Sequence, residues 1–197
     1  MTMLIVYVLI VLLILVIPFL FLKQVEYCFC AFVRRQVPFV PSRKKSRVAV
    51  VKQINTYYKN AENIVEVGSG FGGLARYVAK NTNANVIALE NMLFSATVSK
   101  FLDVVSFSRR NKTIWCDAFK YLKNTNKKFD VALAYLGPDY TYLLKKYADK
   151  IDVLISLDFE IPDMKPVRIH DLKSGYVLYN GKKYPHKLFV YELNNRK

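Results

Sequence analysis

Hydrophobic and polar positions divide the chain before any motif is read. From Leu4 to Leu22 the sequence LIVYVLIVLLILVIPFLFL is unbroken and apolar, and no charged side chain occurs among residues 1–22. At roughly 1.5 Å per residue the run matches a hydrocarbon core of about 30 Å, which predicts a transmembrane helix over residues 1–23. Beyond residue 47 apolar blocks alternate with helical ones. RVAVVKQINTYYKN reads as a helix, NIVEVG as a strand, GGLARYVAKN as a helix, NVIALE as a strand and MLFSATVSKFLDVV as a helix. KTIWCDAF, FDVALAYLG and DVLISLDF are further strands, with AFKYLKN and PDYTYLLKKYADK as helices between them. Such alternation predicts βαβ units and an α/β fold with a mostly parallel sheet covered on both faces.

The C-terminal pattern differs. VRIHDL, GYVLYNGKKYP and KLFVYEL are strand-like with no helix between them, and the Asn-Gly pair at 180–181 marks a turn. An antiparallel hairpin should therefore close the sheet at one edge.

Charge adds orientation. All 30 Lys and Arg and all 15 Asp and Glu lie after the apolar run, for a net charge of +15. Residues 24–47 form a basic linker with Arg34, Arg35, Arg43, Lys44, Lys45 and Arg47 against the single acid Glu26. The positive-inside bias puts the following domain, residues 48–197, in the cytoplasm. A cleaved signal peptide fits less well, because MTM precedes the run and KQVEYCFC follows it. The basic excess also suits nucleic acid.

Cysteine and histidine are sparse. Cys28, Cys30 and Cys116 offer neither a disulfide framework nor a zinc pattern, and His170 and His186 stand apart, without a cluster of carboxylate or cysteine partners. No metal site is expected.

The stretch NIVEVGSGFGGLARYVAK carries the chemistry. Gly68, Gly70 and Gly73 satisfy G-x-G-x-x-G, while Glu66, Gly68, Gly70 and Gly72 satisfy acidic-x-G-x-G-x-G. A carboxylate at the end of the first strand opposes a pyrophosphate at the helix N-terminus and favours a ligand with cationic groups, such as S-adenosyl-L-methionine. Glu90, at the end of the second strand, is placed to accept from ribose hydroxyls, and Asp117, at the end of the third, from an adenine amino group.

With those residues in view, the chain from Ile64 onward resembles the class I S-adenosylmethionine-dependent methyltransferases. More narrowly, it is similar to the membrane-anchored protein-lysine methyltransferases acting on ATP synthase subunit c and the adenine nucleotide translocase, and to their bacterial relatives. The likeness lies in the N-terminal helix, PFVPS, EVGSGFGG, YLGPDYTYLLKKY and FEIPDMKPV. Phe71 and Met164 depart from it, since the family usually has an acid at the first position and often an aromatic residue at the second.

The resemblance implies a Rossmann-like class I methyltransferase fold with a seven-stranded, mostly parallel sheet. It implies an S-adenosyl-L-methionine pocket at Glu66, Gly68, Ser69, Gly70, Gly72, Glu90, Asn91, Asp117 and Ala118. Tyr135, Asp139 and Tyr140 after the fourth strand are the candidates for orienting an acceptor amine, with Asp158 and Glu160 as further lining. The expected function is N-methylation of a lysine on a membrane protein, from a single-pass enzyme of a bacterial inner membrane. Methylation of a lipid or quinone, and a non-catalytic nucleotide-sensing membrane module, are the alternatives. Nucleic acid is disfavoured as acceptor because LGPDY lacks the D/N-P-P-Y/F pattern used on base amines, which leaves a ribose or ring-carbon target open.

Overall fold

The structure is a computed structural model that describes residues 2–28 and 40–194. It divides into two units, Met1–Phe39 and Val40–Lys197. In the first, helix α1 (Thr2–Cys28) runs five residues past the expected end. Its segment Met3–Val25 is long and apolar enough to cross a membrane, by length and composition. Arg34, Arg35 and Cys30 of the linker, and Pro38 and Phe39 of PFVPS, lie outside the described residues.

The second unit opens with α2 (Lys44–Tyr57), so Lys44, Lys45 and Arg47 form the first turn of a helix and not a linker. The helix stops before Lys59 and Asn60, which lie in a turn and not in the helix the pattern predicts. There follow β1 (Asn63–Val67), α3 (Gly73–Asn81), β2 (Asn85–Glu90), α4 (Leu93–Val105), β3 (Asn111–Trp115), α5 (Ala118–Asn124) and β4 (Phe129–Ala134). The chain then forms the single turn α6 (Pro138–Thr141), a 3₁₀ segment at Tyr142–Tyr147, and β5 (Ile151–Leu157), β6 (Arg168–Tyr179) and β7 (Lys182–Glu192).

The seven strands lie in the order β3-β2-β1-β4-β5-β7-β6. All pairs are parallel except β5 with β7 and β7 with β6. The central strands read as apolar runs because both of their faces are covered. On one face Ile64, Val86, Val131 and Val153 pack with Val50, Ile54, Leu74 and Val78 of α2 and α3. On the other, Val65, Leu89, Ala132 and Leu154 pack with Leu122, Leu144 and Ile161. The strand order reverses between β1 and β4, the place at whose carboxyl ends open α/β sheets bind ligands.

Three sequence expectations change. The predicted helix over PDYTYLLKKYADK is only a turn of α-helix and a 3₁₀ segment. Strand β3 stops at Trp115, which leaves Cys116 beyond it and places Ala118 and Phe119 in α5. The three C-terminal strand-like segments are two long strands, with an irregularity between Asp171 and Tyr176. Asn180 and Gly181 both have positive φ, 48° and 74°, the signature of a type I′ hairpin turn. Leu157, the last residue of β5, pairs with Leu188. The hairpin half made by Asp171–Lys187 therefore overhangs the carboxyl end of β5.

Candidate active site

Two clusters sit at the carboxyl ends of the parallel strands. The first is the turn from β1 into α3, containing Gly68, Ser69, Gly70 and Gly72. The Leu89 carbonyl accepts from the amides of Gly68 (2.9 Å) and Ser69 (3.0 Å), tying the turn to β2. Gly68 has φ +70°, and a Cβ there would stand 2.6 Å from Leu136 Cδ2. At Gly72, with φ +67°, a Cβ would collide with the Ser99 hydroxyl. Both positions therefore require glycine on conformational and steric grounds. Ser69 is buried, and its Oγ has no hydrogen-bond partner.

Carboxylates flank this turn. Glu66 is 4 % exposed, and its Oε2 accepts from the Ala75 amide at 2.8 Å. Burial pushes its carboxyl up to about 8; the Ala75 amide opposes the shift, Glu90 adds to it, and Arg47 and Arg76 oppose it. Glu90 accepts from the amides of Gly70 (2.6 Å, Oε2) and Met92 (2.8 Å, Oε1). It thus braces the glycine turn as well as ending β2. The carbonyl of Asn91 accepts from Trp115 Nε1 at 3.0 Å, a contact the sequence reading missed because nothing in the pattern singles out Trp115. Asp117 is the N-cap of α5, its Oδ1 accepting from the Lys120 amide at 2.9 Å, and Ala118 follows as the first helical residue.

A polar network clamps the turn from behind. Arg76 of α3 pairs with Asp103 of α4 at 3.0 Å, and its Nη2 donates to the Phe71 carbonyl. Asp103 also accepts from Asn111 Nδ2 (2.8 Å) and Thr113 Oγ1 (2.7 Å) of β3. Phe71 itself meets Phe94 edge to face, with ring centroids 6.3 Å apart.

The second cluster joins the loop after β4, the end of β5 and the overhanging hairpin. Tyr179 and Tyr184 stand diagonally across β6 and β7, and Phe159 packs edge to face on both, at 5.5 and 5.0 Å. Tyr135 lies 6.5 Å from Phe159. Gly137 is needed here as well, since a Cβ would run into the Tyr179 ring. The Tyr179 hydroxyl donates to Asp139 Oδ2 at 2.7 Å, and burial followed by that carboxylate pushes the phenol up to about 12. Burial and the neighbouring Asp158 likewise raise the Tyr135 phenol.

His186 is not solitary. Its Nδ1 lies 2.8 Å from Asp158 Oδ2, both side chains are 2 % exposed, and Nε2 has no partner. Burial raises the Asp158 carboxyl, against the opposing pull of His186 and Tyr135. Of the sequence-derived acceptor candidates, Tyr135 and Asp139 belong to this cluster, and Tyr140 is half-buried beside it. Asp158 joins the cluster through Tyr135, whereas Glu160 is exposed. Among the described residues, no group of three or more His, Cys, Asp or Glu side chains is placed to hold a metal.

This architecture is the Rossmann-like methyltransferase fold. An RNA methyltransferase from Salinibacter ruber, solved with S-adenosyl-L-homocysteine, superposes with TM-score 0.64 at 15 % identity, over 80 % of this chain and 96 % of that one. A SAM-dependent O-methyltransferase from Thermotoga maritima gives 0.60 at 12 % identity, over 87 % and 72 %. A precorrin-6y C5,15-methyltransferase from Geobacter metallireducens gives 0.51 at 10 % identity, over 62 % and 66 %. No family model matches the sequence, and no curated protein matches it.

Proposed function

We propose that the chain is an S-adenosylmethionine-dependent methyltransferase whose acceptor is an amine, a lysine side chain of a membrane protein. The observation that carries this reading is the pair of clusters: a carboxylate-flanked glycine turn beside an aromatic wall that also holds carboxylates. The residues fit the cofactor. The Ser69 hydroxyl is buried without a partner, the glycine positions exclude side chains from the turn, and Glu66 holds a proton that a nearby ammonium would displace. Glu66, Gly68, Ser69, Gly70 and Gly72 would hold its amino-acid end, with Glu90, Asn91, Asp117 and Ala118 on the nucleoside.

Bound there, the cofactor supplies an electrophilic methyl on a sulfonium, and transfer is an in-line displacement that depends chiefly on positioning. The rings of Tyr179 and Tyr184, backed by the buried Phe159, offer faces to the cationic amine. Asp139, fixed by Tyr179, supplies a counter-charge. A lysine with pKa about 10.4 costs roughly 4–5 kcal/mol to neutralise near pH 7, at 1.36 kcal/mol per unit. Burial among the rings lowers that cost, and the amine releases its proton to solvent before transfer.

Helix α1 anchors the enzyme and raises the effective concentration of acceptors in the same bilayer. The basic residues after it place the catalytic domain on the cytoplasmic side, in this reading of a bacterial inner membrane.

Two measurements test the proposal. S-adenosylhomocysteine should raise the thermal midpoint of the full chain in detergent, by about 2.7 kcal/mol of stabilisation at a hundredfold excess over Kd. NAD should not, and Glu90→Ala should abolish the shift. Incubated with radiolabelled donor, membranes containing the protein should carry label in a protein band. Label in the organic extract or in RNA would overturn the acceptor assignment, and absence of the thermal shift would overturn the cofactor.

A further inference from the structure

Helix α4 is assembled inside out. An amphipathic helix on a sheet normally buries its apolar stripe and shows water its polar one. Here the buried positions are Ser95, Ala96 and Ser99, while Leu93, Phe101, Val104 and Val105 are exposed. Phe101 and Val104 are 65 % and 74 % exposed. The exposed residues recur at helical spacing, so they form one outward stripe. The cause lies on the inner side: α4 docks through Ser99 Oγ to Thr113 Oγ1 at 2.7 Å and through Asp103 to Arg76, Asn111 and Thr113. Polar contacts hold the helix down, Phe94, Val98 and Leu102 are half-buried at its sides, and Leu93, Phe101, Val104 and Val105 are left to the outside.

The helix end extends the stripe. The Phe107 amide donates to the Val104 carbonyl and the Ser108 amide to the Asp103 carbonyl, both at 3.0 Å, in a C-terminal cap. The left-handed residue of such a cap is usually glycine. Here it is Phe107, at φ +49° and 87 % exposed. A strained backbone thus presents a phenyl ring to the outside.

Charge indicates what covers this face. Lys100 lies on the stripe, and Arg109 and Arg110 follow Phe107; Arg110 also donates to the Thr82 carbonyl. The one acid between Leu93 and Lys112 is Asp103, which is turned inward to Arg76. Apolar residues rimmed by cations suit an anionic bilayer surface, with the rings at the acyl boundary and the cations among phosphates. A second copy would set like charges against each other in a chain of net charge +15. The apolar helix α1 belongs to the same chain, and one apolar anchor plus a basic-apolar patch is a two-point attachment.

We infer that the outer face of α4, from Leu93 to Phe107 with Lys100, Arg109 and Arg110, is a docking surface for an anionic lipid bilayer. The surface stands on α4 alone, independently of the methyl acceptor. The test uses the full chain with Phe107→Trp, reconstituted in phosphatidylcholine–phosphatidylglycerol vesicles with and without brominated acyl chains. Trp115, the sole native tryptophan, provides the background from the unsubstituted chain.

The expected result is additional emission that is blue-shifted and quenched by bromine. It should revert toward the solvent-exposed spectrum in pure phosphatidylcholine or at about 1 M salt, where the screening length falls to about 3 Å. Lys100→Glu combined with Arg109→Glu should lose the quenching and keep the thermal midpoint. Emission that is indifferent to bromine would overturn the proposal. So would a blue shift that grows with protein concentration without quenching, which would assign the face to a second copy.

Discussion

Glu66 is the residue on which the chemistry of the donor side is most exposed to measurement. Its carboxyl is raised by burial to about 8, from an ordinary value of 4.5. Without ligand, the folded state therefore binds a proton that the unfolded state has released between those values. Stability from this group is complete below about pH 4.5 and is lost as pH rises through about 8. A series of thermal midpoints against pH should fall across that window, and Glu66→Gln should flatten it. Asp158 gives a second prediction. It sits at φ +65° and holds His186 in a dry site. Asp158→Ala should cost about 3 kcal/mol, as for a broken buried pair. Asp158→Asn should cost less, because asparagine keeps an acceptor and tolerates the left-handed conformation. Glu66 and Glu90 were legible in the sequence because glycines and strand ends mark their places. The partnership of His186 with Asp158 was not, since it depends on how β7 registers against β5 across 28 residues.

Elements were legible where both faces of a strand are buried, as in IVEV, VIALE and VALA, because continuous apolar runs there have no competing pattern. They were misread where polar and apolar residues mix. YTYLLKKY has helical spacing, yet it resolves into a short turn followed by a 3₁₀ segment. The pattern ends one strand-like segment at Leu172 and begins the next at Gly175, but Lys173 and Ser174 lie in an irregularity inside one strand, with φ +44° at Lys173 and +92° at Gly175. Packing of α3, α4 and β3 gives the prediction at this scale. Arg76→Leu leaves Asp103 unpaired beside Asn111 and Thr113, and should lower stability by about 3 kcal/mol. Adding Asp103→Asn should recover part of that loss in a double-mutant cycle on urea midpoints. A fully additive result would show that the clamp does not act as a unit.

In the whole domain, the two proposed chemical tasks fall on separate stretches of chain. Everything proposed to grip the donor lies between Glu66 and Ala118, on β1 to the start of α5. Most of the aromatic wall comes from Phe159 onward, and its two hairpin tyrosines sit on either side of one Asn-Gly turn. The overhang of that hairpin past β5 has a consequence for how such a molecule changes over time. Residues from 172 to 185 can be exchanged, lengthened or grafted without touching the turn between β1 and α3, so under the proposed function client choice and methyl supply are free to diversify independently.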